Sequence, residues 1–385
     1  MTIVLYCQHV LGLGHYMRSL AIAGALGPHR VVFVSGGPPV GVALPGHVVE
    51  ERLPALAMDA EFSGLTVAGE ELEALKASRA ARFMAVMERE RPDVLLVELY
   101  PFGRRAFEFE LVPVLEGVRR GRFGATRTVC SLRDILVEKA DPEKYQGRVL
   151  GRLNSLFDAL LVHSDQRLFP LEETFPRSGE ITIPLAYTGF VTPRPKPGAR
   201  RAMRAALGLG PAEKLVVASA GGGKVGGELL VALAQAWPLL DAGAPARLRM
   251  FTGPFLDEEA FQRLVAMTVA YPEVTVERFA GNFLDWLAAA DLSVSLAGYN
   301  TTMNILAARV AALVWPFAQN QEQSLRAGRL ADLGALELLS PHDFAPSVLA
   351  GRAGRLLRAP VVATRQAVGL DGATETARLI TAWPF

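Results

Sequence analysis

Cysteine is almost missing from this chain: 385 residues contain only two, Cys7 and Cys130. Both sit in apolar runs with strand character and read as small buried hydrophobes. A disulfide-stapled framework is excluded, and two thiols alone cannot build a zinc site. Charge of one sign is lacking as well. Forty Lys and Arg against 39 Asp and Glu leave a net charge of +1, which offers no basic field to hold nucleic acid or an anionic membrane. Lysine is scarce: 6 of the 40 basic residues are Lys and 40 − 6 = 34 are Arg, a compositional bias. No run reaches about 18 uninterrupted apolar residues; the stretch from Ile305 to Phe317 is cut by Arg309. Nothing behind Met1 reads as a charged leader with a cleavage site, and there is neither an Asp-x-Asp pair nor metal-ligand spacing among the six histidines. The expectation is a soluble, cytoplasmic protein with no metal, no nucleic-acid partner and no integral membrane segment. Peripheral membrane contact stays open, although Phe62, Leu65, Phe102 and Phe107 read equally well as core.

What is present is apolar bulk. Half the residues are hydrophobic and 21% are charged, enough for large cores, and the length exceeds what one core organises. Short β-branched runs at Ile3–Gln8, Val31–Ser35, Val48–Leu53, Asp93–Glu98, Arg127–Leu132, Ala159–Ser164 and Ile181–Pro184 alternate with helical spacing at Ala21–Leu26, Glu70–Arg91 and Tyr145–Leu156. Continuous apolar strands between helices predict a parallel sheet covered on both faces. The segment Val191–Arg201 holds three prolines, a glycine and four basic residues, and reads as a stiff linker. The alternation then restarts, with strands at Leu215–Ser219, Arg247–Phe251, Val274–Glu277, Leu292–Ser295 and Ala312–Trp315. Helical stretches at Glu228–Trp237, Glu258–Ala270, Phe283–Ala290, Thr301–Ala308 and Gln321–Leu333 lie between them. The reading is α/β, with two doubly wound Rossmann-like domains, 1–190 and 202–385, joined by 191–201. A last helix at about 371–385 is open to packing back on the first domain. Ligands of such folds lie beyond the carboxyl ends of the strands, so a cleft between facing domains is the expected site.

Four segments follow strands in that way. Gly12-Leu13-Gly14-His15 opens a helix after the first strand, and its glycines allow a tight turn with exposed helix N–H groups. A dinucleotide fingerprint needs a third glycine where Met17 stands, and an acid after the second strand where Ser35-Gly36-Gly37 stands, so NAD binding is not expected. His15 at a helix start has its proton affinity lowered by the dipole and is suited to act as a base. Gly221-Gly222-Gly223-Lys224-Val225-Gly226-Gly227 suits a diphosphate, which backbone N–H groups and the next helix start would hold. It is not a Walker A loop; Lys224 reads either as a phosphate partner or as a solvent-facing side chain. In Gly298-Tyr299-Asn300-Thr301, glycine permits close approach and small polar residues cap a helix, with Asn304 about one turn on. Finally Asn320-Gln321-Glu322-Gln323 crowds side chains able to read sugar hydroxyls. Weaker candidates are Glu98, Arg104 and the pair Arg133-Asp134, which also follow strands, and His163, which reads as a packed or surface histidine.

Taken in order, GLGHYMRSL (12–20), SAGGGKVGGELL (219–230), SLAGYNTTMNIL (295–306) and NQEQSLRAGRLADLGA (320–335) resemble the GT-B glycosyltransferases of family 28. That family includes the enzyme adding N-acetylglucosamine to the lipid-linked peptidoglycan precursor. A subgroup of predicted glycosyltransferases with similar ELYPFGRR and SLRDIL segments is nearer still. The resemblance implies that Gly12, Gly14 and His15 form the acceptor-side loop, with His15 as base. It implies that Gly221, Gly222 and Gly223 hold the donor diphosphate and that Gly298, Tyr299, Asn300 and Thr301 open the nucleotide-binding helix. Glu322 and Gln323 match the pair on the donor sugar. One departure stands out: Asn304 occupies the place of the family glutamate that accepts both ribose hydroxyls, and an amide accepts one bond while donating another.

The implied activity is metal-independent, inverting transfer of a sugar from a nucleotide-diphosphate donor, with a UDP-sugar the first candidate. The acceptor is small or lipid-linked, and no cofactor is needed beyond the donor co-substrate. His15 would deprotonate the acceptor, with Glu98 and Asp134 as the carboxylates nearest the chemistry and Arg104 and Arg133 on the acceptor side. Helix-start N–H groups near Gly222 and Tyr299, with or without Lys224, would stabilise the leaving diphosphate, and closure about the linker would exclude water. Two alternatives keep the architecture: a nucleotide-sugar 2-epimerase using Glu98, Asp134 and Glu322, and a non-catalytic nucleotide-sugar binder, which the Asn304 departure suggests.

Overall fold

A computed structural model describes residues 1–9, 14–56, 69–137, 139–359 and 368–383. The chain divides into two compact units, Met1–Thr192 with Val368–Phe385, and Pro193–Ala367.

In the first unit the strands are β1 (Thr2–Cys7), β2 (Arg30–Ser35), β3 (Val48–Arg52), β4 (Val94–Glu98), β5 (Arg127–Leu132), β6 (Ala159–Val162) and β7 (Leu185–Tyr187). They form one sheet in the order β3-β2-β1-β4-β5-β6-β7, and every pairing is parallel. Both faces are covered, which is why the strands are continuously apolar rather than alternating. Val4, Tyr6, Val32 and Val34 face one core; Ile3, Leu5, Val31 and Phe33 face the other. The helices are α1 (Gly14–Ala25), α2 (Gly69–Glu90), α3 (Glu108–Arg119), α4 (Pro142–Leu156) and, from the distant end of the chain, α12 (Gly372–Thr381). α12 buries Ala377, Leu379 and Ile380 in the same cluster as Tyr16 and Leu20 of α1.

Two differences from the sequence reading have local causes. Ile181–Pro184 is not a strand: Pro184 has no N–H for a ladder, and regular pairing begins only after it, at Leu185. α3 went unread because Pro113 lies inside it, a residue that normally argues against a helix interior. Phe102 and Phe107 are core, while Phe62 and Leu65 lie outside the described residues.

The second unit holds β8 (Lys214–Ser219), β9 (Ala246–Phe251), β10 (Val274–Glu277), β11 (Leu292–Leu296), β12 (Ala311–Trp315) and β13 (Glu337–Leu338). The sheet order is β10-β9-β8-β11-β12-β13. Helices α5 (Ala199–Ala206), α6 (Gly227–Ala236), α7 (Glu258–Thr268), α8 (Phe283–Ala289), α9 (Tyr299–Ala308), α10 (Gln321–Asp332) and α11 (Pro346–Arg358) complete it. Part of the expected linker is therefore already helix: Gly198, in the left-handed region at φ 78°, opens α5 at Ala199. Val191, at its other end, forms a bridge with Asp371.

Each sheet reverses its winding once. The first does so between β1 and β4, the second between β8 and β11. Loops leaving the carboxyl ends of those pairs diverge to opposite faces and leave a crevice where open α/β sheets bind ligands.

Candidate active site

At the reversal in the first sheet, residues from both diverging loops meet. His15 is the second residue of α1, and Glu98 is the last residue of β4. The His15 Nδ1 lies 2.6 Å from Glu98 Oε1, and Arg18 Nη2 donates to the same oxygen at 2.5 Å. Arg18 sits three residues after His15, one turn along the same helix face, so both reach one carboxylate. Arg104 Nη2 stands 3.8 Å from the other carboxylate oxygen, Oε2. The Glu98 side chain is 1% exposed and the imidazole 24%.

The protonation states follow. Burial alone would raise Glu98, but His15 and then Arg18 and Arg104 outweigh it and hold the carboxyl well below the usual range. Nδ1 lies 2.6 Å from the ionised carboxylate and 3.1 Å from Arg18 Nη2, and the closer contact assigns the proton to that nitrogen, which leaves the Nε2 lone pair free. Burial lowers the proton affinity of His15, to a pKa of about 4, against the opposing pull of Glu98. The positive end of α1 acts in the same direction. The result is a neutral imidazole oriented by a carboxylate, the arrangement that general bases share across unrelated folds.

The turn after Glu98 is strained. Leu99 and Arg104 both have positive φ, 67° and 61°, a conformation costly for residues with a Cβ and concentrated at functional sites. Gly14 opens α1 beside His15, whereas Gly12 lies outside the described residues. Asp134 is buried in the loop after β5, with Arg133 Nε 3.7 Å from its carboxylate, and its field is felt at His163. His163 is a packed histidine. It is fully buried, bonded to Ser131 Oγ at 2.6 Å and Thr188 Oγ1 at 2.8 Å, and burial lowers its pKa to about 3. Both cysteines are buried free thiols.

In the second unit the register sets Ser219 of β8 against Ser295 of β11, and Leu296 of β11 against Trp315 of β12. The segments 220–226, 297–298 and 316–320 therefore leave neighbouring strand ends. Gly221, Gly223 and Gly226 all have positive φ. Gly223 also permits a close approach of two turns, since a Cβ there would stand 2.5 Å from the Thr252 carbonyl oxygen and 2.8 Å from the Leu256 nitrogen. Gly223→Ala should accordingly destabilise the second unit, by about 1–3 kcal/mol from the backbone conformation alone, read as a lowered Tm in scanning calorimetry. An unchanged Tm would show that the loop rearranges freely. Lys224 is exposed, with its ammonium 5.8 Å from the centroid of the Phe255 ring. That contact is compatible with either alternative read from the sequence, a phosphate partner or a solvent-facing side chain.

α9 starts differently from the sequence reading. Gly298 is its N-cap, with no side-chain cap bond; Asn300 and Thr301 lie inside the first turn instead of capping it. The N-cap of α9 is thus a glycine, with no side chain of its own to accept from the first-turn N–H groups, and such helix starts suit anion binding. α10 is capped by Asn320, whose Oδ1 accepts from the Gln323 N–H at 3.2 Å, while Gln323 Oε1 accepts from the Phe317 N–H at 3.1 Å. Glu322 is nearly buried in the first turn, 3.8 Å from Arg326.

Residues 222–361 match the model of the glycosyltransferase family 28 C-terminal domain. The second unit is thus similar to the C-terminal domain of glycosyltransferase family 28. Solved structures with the same architecture include the calicheamicin glycosyltransferase CalG4, at 16% identity and a TM-score of 0.58, covering 98% of this chain and 94% of that one. The MurG of Acinetobacter baumannii is similar at 17% identity and a TM-score of 0.59, covering 99% of each chain. The glycotransferase of kitacinnamycin is similar at 19% identity and a TM-score of 0.61, covering 99% and 98%. These likenesses establish the two-unit GT-B fold. No curated protein matches the sequence.

The matched region holds Gly222, Gly223, Gly298, Asn304, Glu322 and Gln323, with Gly221 just before it. Gln323 Oε1 already accepts one backbone hydrogen bond, which holds the side chain in place with its amide N–H groups and one lone pair left for a ligand. Asn304 is half-buried one turn into α9. Among the described residues no three His, Cys, Asp or Glu side chains converge as a metal site, and no helix is long and apolar enough to cross a membrane. Arg18 went unremarked in the sequence reading, although its i+3 spacing from His15 marked it as a same-face neighbour.

Proposed function

We propose that the enzyme transfers a sugar, with inversion and without a metal ion, from a nucleotide-diphosphate donor held by the second unit to an acceptor hydroxyl or amine bound by the first. The observation that carries this reading is the His15–Glu98 pair at the winding reversal of the first sheet. Nδ1 donates to Glu98, so Nε2 takes the acceptor proton as the acceptor oxygen or nitrogen attacks the anomeric carbon. The carbon–oxygen bond to the diphosphate breaks on the opposite face, which inverts the centre. Charge developing on the leaving diphosphate is met by the glycine-capped start of α9 and by the Gly221–Gly223 loop, fixed dipoles that need no reorganisation during the step. That fixed positive potential removes the requirement for a divalent cation. Asn304 reads the ribose as donor and acceptor together, with less strength than a carboxylate. A UDP-sugar is the first donor candidate.

The test is a thermal-shift screen of nucleoside diphosphates and their sugars. A nucleotide that binds the folded chain should raise its stability by about 2.7 kcal/mol at a hundredfold excess over Kd. If no nucleoside diphosphate stabilises the protein, the donor assignment fails. If a nucleotide sugar binds and is then epimerised with no acceptor added, the transferase reading gives way to the epimerase one.

A further inference from the structure

Arg104 does not fit the usual rules for a buried cation. Its side chain is 7% exposed, yet neither Nε nor Nη2 has a hydrogen-bond partner. Buried guanidinium groups are normally saturated with acceptors. This one is held by a backbone in the left-handed region at φ 61°, so the fold sustains two unfavourable features at one residue. Its Nη2 stands 3.8 Å from Glu98 Oε2, and that oxygen too lacks a hydrogen bond. The two oxygens of Glu98 are thus divided. Oε1 receives the directional contacts from His15 and Arg18, and Oε2 faces the guanidinium of Arg104 without a hydrogen bond.

We infer that Arg104 is a positioning residue that acts on His15 through Glu98, its charge keeping the carboxylate ionised and the imidazole neutral so that Nε2 is ready to accept a proton. This rests on the reading of His15 as the base. A cation whose Nε and Nη2 make no hydrogen bond leaves the geometry of the pair to Arg18 and acts on Glu98 through its potential. Among the described residues the other charged and titratable groups at this edge include Tyr6 and Cys7 of β1, His9 after β1, Arg18 on α1, Cys130 of β5, Arg133 and Asp134 after β5, and His163 after β6. Arg133 and Asp134 form a pair of their own, and burial keeps His9 and His163 neutral. Arg18 and Arg104 are thus the cations that oppose protonation of His15, as the lowering effect of both on its proton affinity reflects.

The sign is definite. Removing the Arg104 cation makes Glu98 a stronger attractor of the His15 proton and removes a repulsion from the imidazolium, so the His15 midpoint rises. Deuterium exchange at the imidazole C2, resolved by peptide mass spectrometry from about pH 3 to about pH 8, reads that midpoint for each histidine in the intact chain. In Arg104→Met the His15 midpoint should rise by about one unit, a tenfold change in proton affinity. Arg104→Lys retains a cation and should keep the wild-type midpoint. The buried His163 reports whether the fold is intact, and Arg104→Gln supplies the neutral comparison should the methionine variant not fold. A neutral variant with an unshifted His15 midpoint, or a lysine variant shifted as far as the methionine one, overturns the inference. No substrate enters this measurement, so it can fail while nucleotide binding and the glycosyltransferase reading stand.

Discussion

His15→Ala should lower transfer by about two to four orders of magnitude in kcat while leaving nucleoside diphosphate affinity unchanged, the range expected when a positioned base is removed. The split between kcat and binding is the informative part. His15 belongs to the first unit, whereas the glycine loop and the start of α9 belong to the second, so a loss confined to turnover separates base from donor site. Diphosphate release from the donor that the ligand screen selects, followed alongside calorimetric binding of the nucleotide, makes the comparison. A variant that transfers at the wild-type rate removes His15 from the mechanism. Glu98 would then be a carboxylate buried for structure alone.

The second large effect concerns stability. Arg79 and Glu110 are both fully buried. The guanidinium donates to Glu110 through Nε at 2.8 Å and Nη2 at 2.7 Å, to Gln8 Oε1 at 2.7 Å, and to the carbonyls of Gly36 and Pro54 at 3.1 Å and 2.5 Å. Tyr6 donates its hydroxyl to Glu110 at 2.5 Å. This network ties β1, α2, α3 and the loops after β2 and β3 together beneath the end of the strand that leads to His15. Arg79→Met leaves a buried carboxylate without its cation and should cost about 3–5 kcal/mol. In scanning calorimetry the first unit should melt roughly 10 °C lower, at about 2–4 °C per kcal/mol for a unit of this size. Adding Glu110→Leu should recover part of the loss, because the uncompensated charge is then gone. A single variant that melts with the wild type would show that water or relaxation satisfies the carboxylate.

Much of the architecture was legible because parallel sheets buried on both faces leave a plain signal. Runs such as Val94–Glu98 are apolar at successive positions, and the helices between them start at recognisable caps such as Asp141 and Asn320. The elements not placed from the sequence include β13, two residues long, α3, which contains a proline, and α11.

The sequence by itself determined the two α/β halves, the glycine-rich turns after β8 and β11, and the placing of His15 and Glu98 each at a strand's carboxyl end, since these depend on local residue types and spacing. Only the tertiary structure decided that β1 and β4 are neighbours, which joins His15 to a carboxylate 83 positions away. Strand order is a global choice among pairings of similar apolar strands, and no local pattern encodes it. The same holds for the Arg79–Glu110 pair and for the unbonded guanidinium of Arg104: whether a charge is buried, and against what, depends on how distant segments pack.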